Sequence, residues 1–423
     1  MQPSDDILRR FFELERWQKA MDTAVDKGIS RALLRQMAEP QTRIALYRAI
    51  AAQNYNIDPP RAVRIPKDTR GNYRTVYVNA PADRVILSIA NDLLFQLTPE
   101  RVHPSCKSYL TGIGPGRVVI EASQRIAAMQ SLGEVVGWKG DLSKYFDSVP
   151  ITFVDQAFAM VEHEHGRSAL IDMLRRYYHC DEYVDTNGNI AHKFMSLRQG
   201  CAVSAWLSDV LLYHIDQQLS QLNGYYVRYS DDMLFVGPDH KRARRILDSE
   251  LGNMQLRLNP DKVEPLRSDR WFCFLGFAVK GKQISLSQRR LKKFSQMIDL
   301  ATHRAKDMAH AVRRVNRVLY RGHDRFSWAT QVLPVINCRH DIDVLNAYVM
   351  DAIRAAHTGH HRIGGLGFDA AGADGCIVRM KGRNVAANRK AAPSDIPGYL
   401  SLGCMRKALK TSRAAYDTLV RQM

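Results

Sequence analysis

The stretch Tyr225-Tyr226-Val227-Arg228-Tyr229-Ser230-Asp231-Asp232-Met233-Leu234-Phe235-Val236 decides the fold. It reads as two short apolar strands around a polar turn, and the turn carries two adjacent carboxylates. Like charges at that spacing repel and raise each other's pKa. A hairpin that needed only a turn would use Asn-Gly or Asp-Gly. Bound divalent cations remove the repulsion. A solvated acidic turn would account for a lone Asp-Asp, so the reading depends on a second acidic strand end. Gly140-Asp141-Leu142-Ser143-Lys144-Tyr145-Phe146-Asp147 supplies one, 90 residues before Asp231. Val135 to Trp138 reads as a strand leading into Asp141, which can then point the same way as Asp231. Mg²⁺ takes a few carboxylates plus substrate phosphates in octahedral geometry. Two such ions, about 3.5–4 Å apart, make a clamp for in-line phosphoryl transfer.

Outward from this pair, the pattern alternates between helix and strand without the regular repeat of a doubly wound fold. Residues 5–55 read as helical, with Ile7, Leu8, Phe11, Phe12 and Leu14 near a 3.6 period, and Pro59-Pro60 ends that block. Residues 61–79 read as a hairpin around Lys-Asp-Thr-Arg-Gly-Asn. Helices are expected at 81–97, 117–131, 153–163, 240–251 and 401–421, and a long helix-like run over Gln199–Leu219. Trp271–Val279 reads as another hairpin. Residues 287–357 read as helical and basic. Residues 359–398, with eight glycines, read as a flexible linker or an irregular RNA-contacting extension. Thr111-Gly-Ile-Gly-Pro-Gly-Arg117 lacks the Gly-Lys-Ser/Thr ending of a phosphate loop and reads as a turn.

Asp141…Phe146-Asp147, Gln199-Gly200…Ser204, Tyr229-Ser-Asp-Asp232, Leu258-Asn-Pro-Asp-Lys262 and Phe274-Leu275-Gly276-Phe277 occur in order. This series resembles the successive palm motifs of reverse transcriptases. Upstream, Ile65-Pro-Lys67…Arg74…Asp83-Arg84-Val85-Ile86 resembles their fingers motif. The resemblance covers roughly residues 60–350. It implies an α+β right-hand polymerase that copies RNA into DNA from dNTPs with two Mg²⁺ ions, Mn²⁺ being a possible substitute. It implies that Asp141 and Asp231 ligate metal, with Asp232 as a supporting carboxylate and Leu142 offering a backbone carbonyl. By the same resemblance Lys67 and Arg74 grip the triphosphate, where cations offset charge that builds in the transition state. Gln199 and Gly200 shape the nucleotide pocket, Lys262 protonates the leaving pyrophosphate, and Phe274–Phe277 support the primer end. A solvated lysine after a turn, a charged hairpin and a plain core hairpin are the bland readings of Lys262, of Lys67 with Arg74, and of Phe274–Phe277. Phe146 bears on the sugar. A bulky ring five residues after the metal aspartate would collide with a 2′-hydroxyl, whereas RNA-copying RNA polymerases keep a carboxylate at that offset.

The expected domains are an N-terminal helical region (1–60), fingers (61–134), palm (135–284, with part of the fingers at about 150–198), helical thumb (285–358) and a basic Gly-rich extension with a terminal helix (359–423). Departures narrow the family. Ser204-Ala205 replaces the common Ser-Pro, and Gly114 stands where intron-type enzymes carry arginine. Retron signatures, the Ser-Gln step of diversity-generating enzymes, an RNase H region and an HNH-like cluster are absent from the sequence. What remains resembles the bacterial unknown-group, defence-associated reverse transcriptases, of the class-two type that works with a structured noncoding RNA. That implies anti-phage defence, an RNA template partner and a cDNA product. Two other readings stay open: a template-independent or protein-primed DNA polymerase of abortive-infection type, and a non-catalytic RNA-binding scaffold.

Charge fits a nucleic-acid partner. The 423 residues carry a formal +18, and Lys280–Met423 contribute +16 of it from 26 Lys/Arg against 10 Asp/Glu. A basic segment on a near-neutral body is the footprint of a phosphate-backbone binder. Arg289, Arg290, Lys292, Lys293, Arg313, Arg314 and Arg317 are the expected duplex contacts, a solvated helix face being the alternative. The seven cysteines show no CxxC spacing, which points to neither zinc nor a disulfide framework. The first residues lack the basic flank and apolar run of a signal peptide, and no stretch reaches a membrane span, so a bacterial cytoplasmic location is expected. His163-Glu-His165 reads as a helix end rather than a metal site.

Overall fold

The computed structural model describes residues 5–26, 28–66, 72–110, 112–133, 135–267, 269–303, 305–321, 327–371, 377–382 and 395–422. Lys67 and most of the turn around it lie outside the described residues. The chain divides into two compact units. One comprises Met1–Tyr109, Gly140–Phe235 and Asp239–Val263, and the other Leu110–Lys139, Val236–Pro238 and Glu264–Met423.

In the first unit, the N-terminal helical block comprises the helices Asp6–Phe11, Leu14–Asp26, Arg31–Ala38 and Pro40–Ala51. Asp5 and Ser30 cap two of them through side-chain oxygens, which is the local reason the periodic run is cut. Strands β1 (Arg61–Pro66) and β2 (Tyr73–Val78) form the expected hairpin, in the register Ala62↔Tyr77 and Ile65↔Arg74. Helix Pro81–Leu97 buries Val85, Ile86, Ile89, Ala90, Leu93 and Leu94 almost completely. Strand β3 (Val136–Asp141) enters this unit at Gly140. Two further strands, β4 (Glu182–Val184) and β5 (Ile190–His192), pair antiparallel, and β4 joins β1 in parallel. The turn Asp185-Thr-Asn187-Gly188-Asn between them is an Asn-Gly signal that strands of only three residues did not make visible. β6 (Tyr225–Tyr229) and β7 (Asp232–Val236) are the decisive hairpin.

The run Gln199–Leu219 is two helices, Val203–Val210 and Tyr213–Ser220, broken at Leu211-Leu212, where Leu212 leaves helical geometry at φ −98°, ψ 5°. Apolar periodicity continues through the break, so the pattern alone did not reveal it. Trp206 stacks on Phe158 at 5.9 Å and donates to Thr98 at 2.9 Å, which locks the first of these helices into the core.

In the second unit, the first half of β3 pairs antiparallel with β8 (Glu264–Arg267), Val136 opposite Arg267. β9 (Phe272–Phe274), β10 (Phe277–Lys280) and β11 (Gln283–Leu286) form a meander with β10 in the middle. Helices Pro115–Gln130, Gln288–Thr302, Met308–Asn316 and Arg339–Thr358 supply much of the apolar packing. The Gly-rich segment is not wholly irregular. β12 (Gly365–Phe368) and β13 (Val378–Lys381) pair antiparallel, while 372–376 and 383–394 lie outside the described residues. The terminal helix is two helices, Leu402–Thr411 and Arg413–Arg421. Ser412 is extended between them and caps the second through its hydroxyl.

Candidate active site

The turn that carries the two carboxylates has an unusual backbone. Ser230 sits at φ +57° between β6 and β7, a conformation that costs an L-residue roughly 1–2 kcal/mol. Its N–H donates to the Ser108 hydroxyl at 3.0 Å, and its carbonyl accepts from Arg228 at 3.1 Å. Asp231 follows at the tip. Its backbone carbonyl accepts from the Leu142 N–H at 3.3 Å, which places the end of β3 beside the turn. Asp141 and Asp231, 90 residues apart in sequence, are thereby neighbours.

A third segment completes the edge. Asn259 donates its N–H to the Asp141 carbonyl at 2.8 Å, and Ser143 donates to the Arg257 carbonyl at 2.9 Å. Leu258-Asn-Pro-Asp-Lys262 therefore runs along the end of β3. The Asn259 side chain caps the short helix Pro260–Lys262 through the Asp261 N–H. This brings the Lys262 ammonium onto Asp141 Oδ2.

The electrostatics mark the pair. Asp141 is 5% exposed, and its Oδ1 is buried with no hydrogen-bond partner among the described residues. A buried carboxylate oxygen left without a donor is costly unless a cation completes it. Burial pushes the Asp231 carboxyl above the ordinary aspartate value, and the Asp141 carboxylate adds to the rise. Its own backbone N–H, the Lys262 ammonium and the Ser230 hydroxyl oppose it. Two desolvated carboxylates with one unsatisfied oxygen fit a divalent-cation site in the kind and placement of their donors. Among the described residues no group of three or more His, Cys, Asp or Glu side chains converges to hold a metal. Asp232, the first residue of β7, follows the turn directly after Asp231.

The remaining candidates surround a second strained loop. Ser196, Arg198 and Gly200 have φ of +42°, +52° and +113°. The loop is tied down at each step. Ser196 donates to the Val149 carbonyl at 2.8 Å, and Leu197 N–H to the Phe146 carbonyl at 3.0 Å. The Arg198 guanidinium lies 4.0 Å from the Tyr177 ring centre, and the Gln199 carbonyl accepts from Tyr77 at 2.7 Å. Gly200 is required, since a Cβ there would meet the Tyr77 carbonyl oxygen at 2.8 Å. The half-buried Phe146 is thus tied to the loop that carries Gln199 and Gly200. Arg74 is exposed on β2.

In the second unit, Leu275 (φ +47°) and Gly276 (φ +82°) form the two-residue turn of the β9–β10 hairpin. Arg290 donates to the Leu275 carbonyl at 3.1 Å and stacks at 4.0 Å from the Phe277 ring centre. Its guanidinium is engaged by the hairpin. Arg289, Lys292 and Lys293 are exposed on helix Gln288–Thr302, three or four residues apart and so on one face. Arg313 and Arg317 are exposed, and Arg314 donates to the Leu300 carbonyl. His165 bonds the Leu97 carbonyl and Glu164 pairs with Arg101, which makes the His163-Glu-His165 cluster a helix-end anchor.

Sequence reading missed five residues of the site. Tyr109 (φ +55°) places its hydroxyl 3.4 Å from Ser230 Oγ. Ser108, Arg228, Asp209 and Asp216 lie fully buried beneath the turn. A readable signal existed for three of them. Arg228 is a charge inside an apolar strand, and Asp209 and Asp216 are seven residues apart in an apolar run, which is helix-face spacing.

Residues 65–279, just over half of the chain, match the family model for reverse transcriptase (RNA-dependent DNA polymerase). The chain therefore belongs to the reverse transcriptase family, the RNA-dependent DNA polymerases. No curated protein sequence matches it. Among solved structures, apo telomerase from Candida tropicalis is 11% identical with a TM-score of 0.42, over 71% of this chain and 58% of that one. Telomerase from Candida albicans in complex with a TWJ fragment of telomeric RNA is 13% identical with a TM-score of 0.41, over 76% and 64%. A C-terminally truncated apo form from Candida tropicalis is 14% identical with a TM-score of 0.40, over 54% and 56%. The chain spans less than two thirds of each of these telomerase structures. Likenesses this distant carry no argument about function. Among the described residues no helix is long and apolar enough to cross a membrane.

Proposed function

We propose that the chain copies a structured noncoding RNA into cDNA, with the Asp141–Asp231 pair as the metal centre. The observation that carries this reading is the buried Asp141 Oδ1, without a partner among the described residues, beside an Asp231 whose charge burial disfavours. Asp141 and Asp231 would hold Mg²⁺, or Mn²⁺ in its place, with the Leu142 carbonyl and Asp232 in support. When bound, the ions would supply activation of a primer 3′-hydroxyl and neutralisation of the triphosphate. The chain's own residues do the rest. Lys262 neutralises Asp141 at rest and is assigned the proton for the departing pyrophosphate. Phe146, tied to the loop of Gln199 and Gly200, excludes a 2′-hydroxyl and so selects dNTPs. Arg74, with Lys67, grips the triphosphate, and the hairpin Phe274–Phe277 supports the primer end.

The template assignment rests on the +16 of Lys280–Met423 and on the exposed Arg289, Lys292, Lys293, Arg313 and Arg317. A phosphate-backbone partner releases counterions from such a surface, so its binding weakens steeply with salt. The departures from intron, retron and diversity-generating patterns support a bacterial, cytoplasmic, defence-associated enzyme.

The test is purification from cells with bound RNA, then addition of Mg²⁺ and labelled dNTPs or NTPs without template. RNase-sensitive incorporation of dNTPs alone is the expected result, and sequencing the product identifies the RNA. Incorporation that survives RNase points instead to the template-independent polymerase.

A further inference from the structure

We propose that Arg228 and Ser108 are positioning residues, a two-point clamp that holds Ser230 in its left-handed conformation and thereby sets where Asp231 points. The inference rests on the assignment of Asp231 as a metal ligand.

The clamp is built from both sides of one residue. Ser108 Oγ accepts the Ser230 N–H at 3.0 Å, and Arg228 Nη1 donates to the Ser230 carbonyl at 3.1 Å. Ser230 is the residue immediately before Asp231, so fixing both of its backbone groups fixes the direction in which the chain enters the aspartate. Each jaw has its own anchor. Ser108 donates to Asp209 Oδ1 at 2.8 Å. Arg228 makes a two-pronged contact with Asp216, Nε to Oδ1 at 2.8 Å and Nη2 to Oδ2 at 2.5 Å, and Tyr226 donates to the same carboxylate at 2.8 Å. Arg228 also donates to the carbonyls of Ser208 and Asp209, at 3.3 and 3.1 Å. The segment carrying Ser108 is held in register with β6, since Arg228 N–H donates to the Ser105 carbonyl at 2.9 Å and Lys107 N–H to the Arg228 carbonyl at 2.8 Å.

Stability alone does not account for this arrangement. Arg228, Asp209 and Asp216 are all 0% exposed, one cation against two carboxylates. Buried ion pairs of this kind are weak stabilisers compared with apolar residues of the same shape, and their best-attested use is to fix a register. Here the register fixed is that of the catalytic turn. An arginine can grip Asp216 with two nitrogens and Ser230 with the third, and a lysine ammonium cannot span both.

The test uses the full chain with Mn²⁺ as probe, followed by loss of the free-ion electron paramagnetic resonance signal. Wild type is compared with Asp231→Asn, Ser108→Ala and Arg228→Lys, each checked for folding by circular dichroism. Ser108→Ala removes a single oxygen, which keeps the test available if Arg228→Lys does not fold. The clamp predicts Mn²⁺ binding weakened about tenfold or more in Ser108→Ala and Arg228→Lys. In extension of a primed RNA it predicts a lower kcat with the dNTP KM within about twofold, and unchanged affinity for the template. Wild-type Mn²⁺ affinity and kcat in the folded clamp variants, alongside loss of both in Asp231→Asn, would overturn the clamp and leave the metal assignment standing. Mn²⁺ binding that Asp231→Asn leaves unchanged would overturn the metal assignment itself.

Discussion

Both units bury carboxylates, and two of those in the first unit, Asp141 and Asp209, are treated unlike the pair buried in the second. In the C-terminal unit, Asp341 and Asp351 reach from helix Arg339–Thr358 to the start of β13 and to the residues just before β12. Asp341 accepts from the backbone N–H groups of Ile377 and Val378 and from the Ser285 hydroxyl. Asp351 accepts from the N–H groups of Arg362 and Ile363, and His361 and Arg354 lie against it. Both carboxylates use both oxygens. In the first unit, Asp141 Oδ1 and Asp209 Oδ2 are buried without hydrogen-bond partners among the described residues. Where acceptors are all engaged, the carboxylates organise structure. Where the fold leaves one unsatisfied, it is holding a place for something else or tolerating a cost for geometry.

The sharpest way to break this comparison is Asp231→Asn. Because burial and Asp141 disfavour its charge, the substitution should abolish incorporation while leaving the urea midpoint equal or higher. A variant that lost activity by unfolding would erase the contrast. The opposite response is expected of Asp341→Ala. Removing an acceptor shared by two backbone N–H groups and a hydroxyl should cost about 3 kcal/mol in urea unfolding, at roughly 1 kcal/mol or more per orphaned donor.

Phe146→Val tests the sugar gate. It should raise the ratio of NTP to dNTP use by about tenfold to a hundredfold, the range that small steric differences in a pocket supply. An unchanged ratio would remove Phe146 from that role. The smallest effect concerns Asp209, whose carboxyl burial pushes up to about 6, against the pull of Arg228 and Ser108. A folded-state value above the unfolded one stabilises fully below the ordinary aspartate range, and the contribution is lost as pH rises through about 6. Between pH 7 and pH 5 the wild type should therefore gain about 1 kcal/mol from this group, at about 1.4 kcal/mol per unit. Asp209→Asn should lose that gain, measurable as the difference in urea midpoints at the two pH values.

How much of this was legible in the sequence follows from the range of each interaction. Tyr229-Ser-Asp-Asp232, Asp141 and Lys262 are visible because each sits at a strand end or turn whose local pattern announces it. Ser108 contacts Asp209 across 101 residues and Ser230 across 122, and nothing in its own neighbourhood distinguishes it from any other serine. The β12–β13 hairpin was hidden for a related reason. Its glycines suggest an irregular chain, while the groups that order it, Asp341 and Asp351, belong to a helix earlier in the sequence. The break at Leu211-Leu212 was hidden because apolar spacing on both sides stays in phase. Local signals reported elements and the acidic strand ends, and the buried contacts that hold those ends came only from the fold.

The most direct measurement is extension of a DNA primer annealed to an RNA template, with Mg²⁺ and the four dNTPs, by wild type and by Asp231→Asn. The account predicts full-length cDNA from the wild type, none from the variant, and equal template binding by both. Equal extension by the two proteins, or none by a wild type that binds the primed template, would contradict it.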